Sequence, residues 1–304
     1  MYNIDKLFEA VAAKGHVCVG LDTAAEYVPP AERRRAVSDA EAVLAFNKAL
    51  IDSTFDAAAC YKVQIAYYEE MGIAGLSAYA QTLHYIRKKG GLVIADIKRG
   101  DIADTAMRYA KAHFAGDFEA DFVTLSPYMG MDSIEPWLNY ADSKGKGAFV
   151  LMRTSNKGMR DFEYLEISPN KKRVYHAVGD KLAALAAAHS GKYGYGAFGA
   201  VLGCTEREEA AEIRKNYSNL FFLIPGYGAQ GGAADDAALL LREGNGGVVN
   251  ASRSILKAWS AETTASGGGA STEGDEATVT NSFAVEAARR AAIAMRDAIW
   301  AAVK

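Results

Sequence analysis

Asp96, Lys98 and Asp101 are the residues whose types and spacing most invite chemistry, in the stretch Gly91-Leu-Val-Ile-Ala-Asp-Ile-Lys-Arg-Gly-Asp-Ile-Ala-Asp-Thr105. The apolar, β-branched run Leu92 to Ile97 predicts a buried strand. Asp96 and Lys98 are two apart, so both side chains leave the same face of that strand. Asp101 follows the break at Gly100. Charges at the end of a buried strand are costly unless they are paired or used. Two acids around one lysine suit the stabilisation of localised charge, since opposite charges about 4 Å apart attract by roughly 4 kcal/mol at an effective dielectric of about 20.

Positioning these groups falls to a repeating set of elements. Apolar runs recur at 16–21, 57–63, 92–97, 122–125, 148–152, 197–202, 221–224 and 247–250. Between most of them lie Ala-, Glu- and Lys-rich segments of helical period, such as 40–52, 75–89, 102–115, 175–189 and 206–215. Eight strand–helix units predict an α/β chain folded as a single (β/α)8 TIM barrel across 1–304. A doubly wound open sheet is the alternative, but the turn after the first run reads Val-Gly-Leu-Asp-Thr-Ala and lacks a glycine-rich nucleotide fingerprint. Two segments interrupt the rhythm. Residues 156–172 are polar and are expected over the barrel mouth; residues 261–278 are rich in Gly, Ser, Thr and acids and are expected to be flexible. An Ala-rich helix over 282–303 follows, expected to pack on the barrel foot or on a partner.

In such barrels the strand C-termini build the active site. Here they end in Asp22, Lys62, Asp96 with Lys98, Arg153-Thr-Ser155, Pro225-Gly-Tyr-Gly-Ala-Gln-Gly-Gly232, and Asn250-Ala-Ser-Arg253. One charge of this kind is explained by a structural ion pair; polar groups at six strand ends of one mouth are not. Gly226, Gly228, Gly231 and Gly232 allow backbone amides to approach a ligand closely. Arg253 offers a fork for phosphate at the position, after strands seven and eight, where barrels frequently bind it.

The remaining composition narrows the classes. A net charge of −3 offers no general reason to bind a nucleic acid polymer or an anionic membrane. No apolar run reaches membrane-spanning length, and the amphipathic, acidic start is unlike a signal or transit peptide. Cys18, Cys60 and Cys204 lack CxxC spacing and read as small buried hydrophobes of a reducing cytoplasm. The five histidines show no ligand spacing, so no histidine-bound metal is expected. Tyr67, Tyr68 and the tryptophans read as packing groups, Lys171-Lys-Arg173 as a solvated helix start, and Glu206-Arg-Glu-Glu209 as a solvated helix face.

At this point the motifs align with a known family. Ile94-Ala-Asp-Ile-Lys-Arg-Gly-Asp-Ile-Ala-Asp-Thr105 resembles the signature of the orotidine 5'-phosphate decarboxylase family, and Lys62, the Pro225–Gly232 loop and Arg253-Ser-Ile occur in the same order there. The resemblance runs from Asp22 to Arg253 and is to the long bacterial branch. It implies decarboxylation of orotidine 5'-monophosphate to uridine 5'-monophosphate without a cofactor or metal, in pyrimidine synthesis. By position it makes Lys98 the proton donor to C6 and sets Asp96 against the substrate carboxylate. Lys62 and Asp22 would hold the ribose and complete the charge network. Ser155 would meet the pyrimidine amide edge, with Thr154 as competitor. Gln230 and Arg253 would grip the phosphate, with Pro225 and Tyr227 shaping the closing loop. It further implies a homodimer with shared sites, Asp101 and Thr105 reaching the neighbour's. Ser252 stands where many relatives have glycine. Two rivals remain: a Mg2+-dependent sugar-phosphate barrel, which generally has an acid at the position of Lys62, and a silent phosphate-binding barrel.

Overall fold

A computed structural model of the chain describes residues 1–228, 230–266 and 279–303. The strands in chain order are β1 (Val17–Gly20), β2 (Cys60–Gln64), β3 (Val93–Arg99), β4 (Phe122–Leu125), β5 (Gly147–Arg153), the short pair β6 (Glu166–Ile167) and β7 (Lys172–Arg173), then β8 (Phe198–Leu202), β9 (Phe222–Ile224) and β10 (Gly247–Ala251). Eight of them close a barrel in the order β1-β10-β9-β8-β5-β4-β3-β2, every pairing parallel. The expected (β/α)8 barrel is therefore what forms. β6 and β7 make an antiparallel hairpin outside it.

Strand alternation sorts the side chains into two cores. Val17, Val19, Tyr61, Val63, Val93, Ala95 and Val123 face outward under the helices. Cys18, Cys60, Ile94, Phe122, Phe149, Leu223 and Val248 face inward and fill the barrel's lower half. The helix Asn3–Lys14 closes the foot, burying Ile4, Leu7 and Val11 against that inner set. All three cysteines are buried and free. Continuing each inward column by two residues leads from Cys60 to Lys62 and Gln64, from Ile94 to Asp96, from Phe122 to Thr124 and from Val248 to Asn250. The apolar plug and the polar mouth are thus consecutive layers of one pattern.

The C-terminal helix, Asn281–Ala302, begins at Thr280, whose hydroxyl accepts from Phe283 N at 3.3 Å. It lies in the outer ring beside the helix Asp39–Thr54, and its last turns reach the foot, where Arg296 and Trp300 stand against Gly15 just before β1. Its buried Ala284, Ala287, Ala288 and Ala292 permit the close approach in the outer ring. The 261–278 segment differs from expectation at its start. Residues 261–266 continue the helix Ala258–Ser266, which Trp259 anchors by donating Nε1–H to Tyr27 O at 3.1 Å. The rest of that segment, 267–278, lies outside the described residues. Among the described residues no helix is long and apolar enough to cross a membrane.

Candidate active site

A cavity of about 470 Å³ opens at the C-terminal ends of the strands. Lys62, Asp96 and Lys98 meet on its wall. Lys62 Nζ donates to Asp22 Oδ1 at 2.8 Å and to Asp96 Oδ2 at 2.9 Å, and Lys98 Nζ donates to Asp96 Oδ1 at 2.7 Å. The result is an alternating array, Asp22–Lys62–Asp96–Lys98. Burial alone would push the Asp96 carboxyl up, but Lys62 and Lys98 outweigh it and hold the group well below the usual carboxylate range. Burial likewise pulls Lys62 down, and Asp22 and Asp96 outweigh it and hold Lys62 above the usual lysine range.

Simple alternation does not account for Lys98. Ala95 pairs with Val123 and Arg99 with Leu125, so β3 bulges between them. Lys98 adopts φ 45°, a left-handed conformation that costs a non-glycine residue about 1–3 kcal/mol. The bulge leaves its side chain 47 % exposed at the mouth, whereas Lys62 is 6 % exposed. One lysine is therefore locked inside the array, and the other stands where a ligand can reach it.

Asp101 does not join this array in its own chain. Its Oδ1 accepts from Ile102 N at 2.8 Å, just ahead of the helix Ala103–Ala115. Neither Asp101 nor Thr105 lines this chain's cavity.

Further groups surround the array, and two of them, Gln64 and Thr124, sequence reading passed over. Asp96 also accepts from Gln64 Nε2 at 3.0 Å and from Thr124 Oγ1 at 2.8 Å. Ser252 Oγ donates to Asp22 Oδ2 at 2.8 Å, while Asn250 Nδ2 donates to Ser252 Oγ at 3.4 Å. Gly20 is required beneath them, since a Cβ there would stand 2.1 Å from Ser252 Oγ. The inward-column rule would have found Gln64 and Thr124 from sequence. Tyr67 packs against the core as expected and also borders the mouth with Tyr27, while Tyr68 is buried and donates to Leu21 O at 3.2 Å.

On the opposite wall Ser155 borders the cavity, and so does Thr154. The Thr154 hydroxyl donates toward Glu163 Oε1 (2.8 Å) or Asn156 Oδ1 (2.7 Å), and Thr154 N donates to Glu163 Oε2 at 2.8 Å. Ser155 Oγ has no hydrogen-bond partner among the described residues. Arg153 turns away from the mouth at a second register shift. Fully buried, it donates Nη2–H to Gly203 O at 2.6 Å and pairs with Glu209 at 3.5 Å. Glu209 is thus no solvated helix face. It also accepts from Tyr164 at 2.8 Å, from Tyr175 at 3.1 Å and from Arg173. The basic run 171–173 does stand at a helix start: Lys172 and Arg173 form β7, and Arg173 is the N-cap of the helix Val174–Ala188. Convergence of distant tyrosines and arginines on one carboxylate made Glu209 internal.

Pro225, Gly226, Tyr227, Gln230 and Arg253 line the far end. Three of the four loop glycines have their amides engaged within the loop. Gly228 N donates to Gly232 O at 2.9 Å, Gly231 N to Gly228 O at 2.8 Å and Gly232 N to Gly226 O at 3.0 Å. These amides hold the loop itself. Glycine is needed at 226 and 231 because φ is 103° and 98°. Arg253 and Gln230 border the cavity beside this loop. Neither side chain has a hydrogen bond or ion pair among the described residues.

Removing Lys62 tests the array's contribution to the fold. Lys62→Met leaves the buried Asp96 and the partly exposed Asp22 without their shared cation, and stability at neutral pH is expected to fall by about 3–5 kcal/mol. The depressed Asp96 contributes stability that is fully present above its unfolded pKa of about 3.9 and is lost as pH falls through the folded value. Raised Lys62 contributes below its unfolded value of about 10.4 and is lost only as pH rises through the folded one. The deficit of the variant should therefore narrow in acid. Urea unfolding at neutral and acidic pH measures it, and a deficit unchanged by acid contradicts the assignment.

A parallel barrel with an alternating charge array at one end of its mouth and an unpaired arginine at the other defines an enzyme built around an anionic ligand. The family model of orotidine 5'-phosphate decarboxylase / HUMPS matches residues 15–267. The chain belongs to that family. It is 53 % identical over 299 residues to an orotidine 5'-phosphate decarboxylase of Clostridium perfringens, covering 98 % of both chains. To that of Clostridium kluyveri it is 56 % identical over 259 residues, 85 % of this chain and 89 % of the other. The solved Leishmania donovani OMP decarboxylase superposes with a TM-score of 0.73 at 30 % identity, covering 100 % of this chain and 99 % of that one.

Proposed function

We propose that this protein converts orotidine 5'-monophosphate to uridine 5'-monophosphate and CO2, without metal or organic cofactor, in pyrimidine synthesis. The observation that carries the reading is the Asp22–Lys62–Asp96–Lys98 array at the barrel mouth. Breaking the bond from C6 to the carboxylate releases CO2 and leaves the electron pair on C6, where the ring cannot readily delocalise it. A fixed ammonium beside C6 stabilises that charge and then supplies the proton. Lys98, exposed at the mouth and anchored by Asp96, has this role. Asp96 lies against the substrate carboxylate, and Lys62 with Asp22 holds the ribose hydroxyls. Ser155 takes the pyrimidine amide edge, because the hydroxyl of Thr154 is already engaged. Gln230 and Arg253 take the phosphate, and Pro225 with Tyr227 shapes the loop over it.

The placement of Lys62 favours this route over the Mg2+-dependent one. Its ammonium stands between the two carboxylates that a hard cation would need as ligands. CO2 release from orotidine 5'-monophosphate after exhaustive EDTA treatment is the test. Full activity is expected; dependence on added Mg2+ would overturn the metal-free reading. Uridine nucleotide binding without CO2 release would identify a silent barrel instead.

The second element of the reading is a homodimer in which Asp101 and Thr105 complete the neighbour's site. Their position outside their own cavity supports it, and so do the exposed apolar side chains Ile102 and Met107 beside them. Lys98→Ala and Asp101→Asn chains, each inactive alone, are expected to recover activity when co-refolded, since one hybrid site then holds both intact residues. Proven heterodimers without recovery would count against sharing.

A further inference from the structure

Thr124 occupies the inward position of β4 and is 1 % exposed. It stands opposite the irregular part of β3, where the four steps from Ala95 to Arg99 run beside only two steps of β4, Val123 to Leu125. Such a bulge deprives amides of their ladder partners. Here Thr124 Oγ1 replaces the ladder: Ile97 N and Lys98 N each donate to it at 3.0 Å. The same hydroxyl donates its proton to Asp96 Oδ1 at 2.8 Å. A hydroxyl has one proton and two lone pairs, so its capacity is filled by these three bonds. Nothing is left over for a substrate, although the residue borders the cavity.

One oxygen therefore sets two things at once: the rotation of the Asp96 carboxylate, and the left-handed backbone that carries Lys98. Asp96 Oδ1 is also the atom that receives Lys98 Nζ. Valine has the same branched shape and suits a strand equally well, but it would turn a methyl toward two amides and a carboxylate. The bulge would lose what replaces its ladder, and the left-handed turn at Lys98 would lose its support.

We propose that Thr124 is a positioning residue for the reaction, holding the Lys98 ammonium and the Asp96 carboxylate in register with the carbon that loses CO2. This rests on the decarboxylase reading above. The test compares Thr124→Val, Thr124→Ser and Thr124→Cys by kcat and KM with orotidine 5'-monophosphate and by uridine 5'-monophosphate affinity. Thr124→Val is expected to lower kcat on the order of 100-fold, as misplacement of a reacting group does, with KM and nucleotide affinity changed by about threefold or less. Thr124→Ser should restore most of the rate. Thr124→Cys, close to serine in size but a weak hydrogen-bonding group, should stay slow; should the valine variant not fold, the serine–cysteine pair decides.

Wild-type turnover in Thr124→Val overturns the proposal. So does Thr124→Ser as slow as the valine or cysteine variant, which would assign the effect to packing. Parallel loss of nucleotide binding and kcat overturns it too, since that is collapse of the pocket. If the wild-type protein itself releases no CO2, the reaction reading fails separately. A crystal structure of Thr124→Val then decides the positioning role, which predicts that Lys98 leaves the left-handed region and is refuted if it stays.

Discussion

Lys98→Ala is expected to bind uridine 5'-monophosphate within a few-fold of the wild-type affinity and to release almost no CO2. Lys98 has two duties, stabilising negative charge at C6 and delivering the proton. Losing an electrostatic donor costs about 10²–10³ and losing a general acid about 10²–10⁴, so a combined fall of more than about 10⁴ in kcat is expected. Protein stability should barely change. Lys98 is about half exposed, and its exit leaves Asp96 with Lys62, Gln64 and Thr124 as donors. This separates it from Lys62, whose removal opens a buried charge defect. Single-turnover CO2 release, beside nucleotide binding and thermal unfolding of the same variant, checks all three statements. Ready turnover by Lys98→Ala would remove it as proton donor.

Arg253→Ala is expected to have the second largest effect. A guanidinium binds phosphate through two parallel hydrogen bonds, and truncating one partner of a desolvated charge pair costs about 2–5 kcal/mol. That corresponds to a drop of roughly 30- to 5000-fold in kcat/KM. The phosphate lies far from the reacting carbon, yet binding energy gained there can be used to organise the charges at the other end of the cavity. The loss should therefore appear partly in kcat and not solely in KM. The free variant should unfold at the wild-type temperature, because Arg253 has no partner among the described residues. Arg253→Lys keeps the charge but not the fork and should fall between the two. Kinetics near wild type for Arg253→Ala would exclude the phosphate role.

Sequence and structure agree best where one physical rule acts along the chain. Inward and outward positions alternate with period two, so Lys62 and Asp96 could be placed on the barrel interior from Cys60 and Ile94 alone. Agreement ends where partners are remote in sequence. The 28 positions separating Thr124 from Asp96 contain no local sign that one hydroxyl joins them. Ser252, 230 positions from Asp22, was visible only as a departure from the glycine of many relatives. The loop glycines announced freedom of backbone angle correctly, but nothing local showed that the amides of Gly228, Gly231 and Gly232 would bond to the loop's own carbonyls.

By itself the sequence determined the eight-unit alternation, the polar residues at six strand ends and the family signature around Lys98. All of these depend on residue type at fixed short spacing, where sterics and hydrophobic periodicity act locally. Only the tertiary structure decided that Lys98 rides a left-handed bulge at the mouth, that Lys62 sits buried between two acids, that Asp101 turns away from its own cavity, and that Arg253 is left unpaired among the described residues. Those outcomes depend on barrel closure, which brings distant strand ends within hydrogen-bonding distance and there settles which charges neutralise one another and which stay available to a ligand.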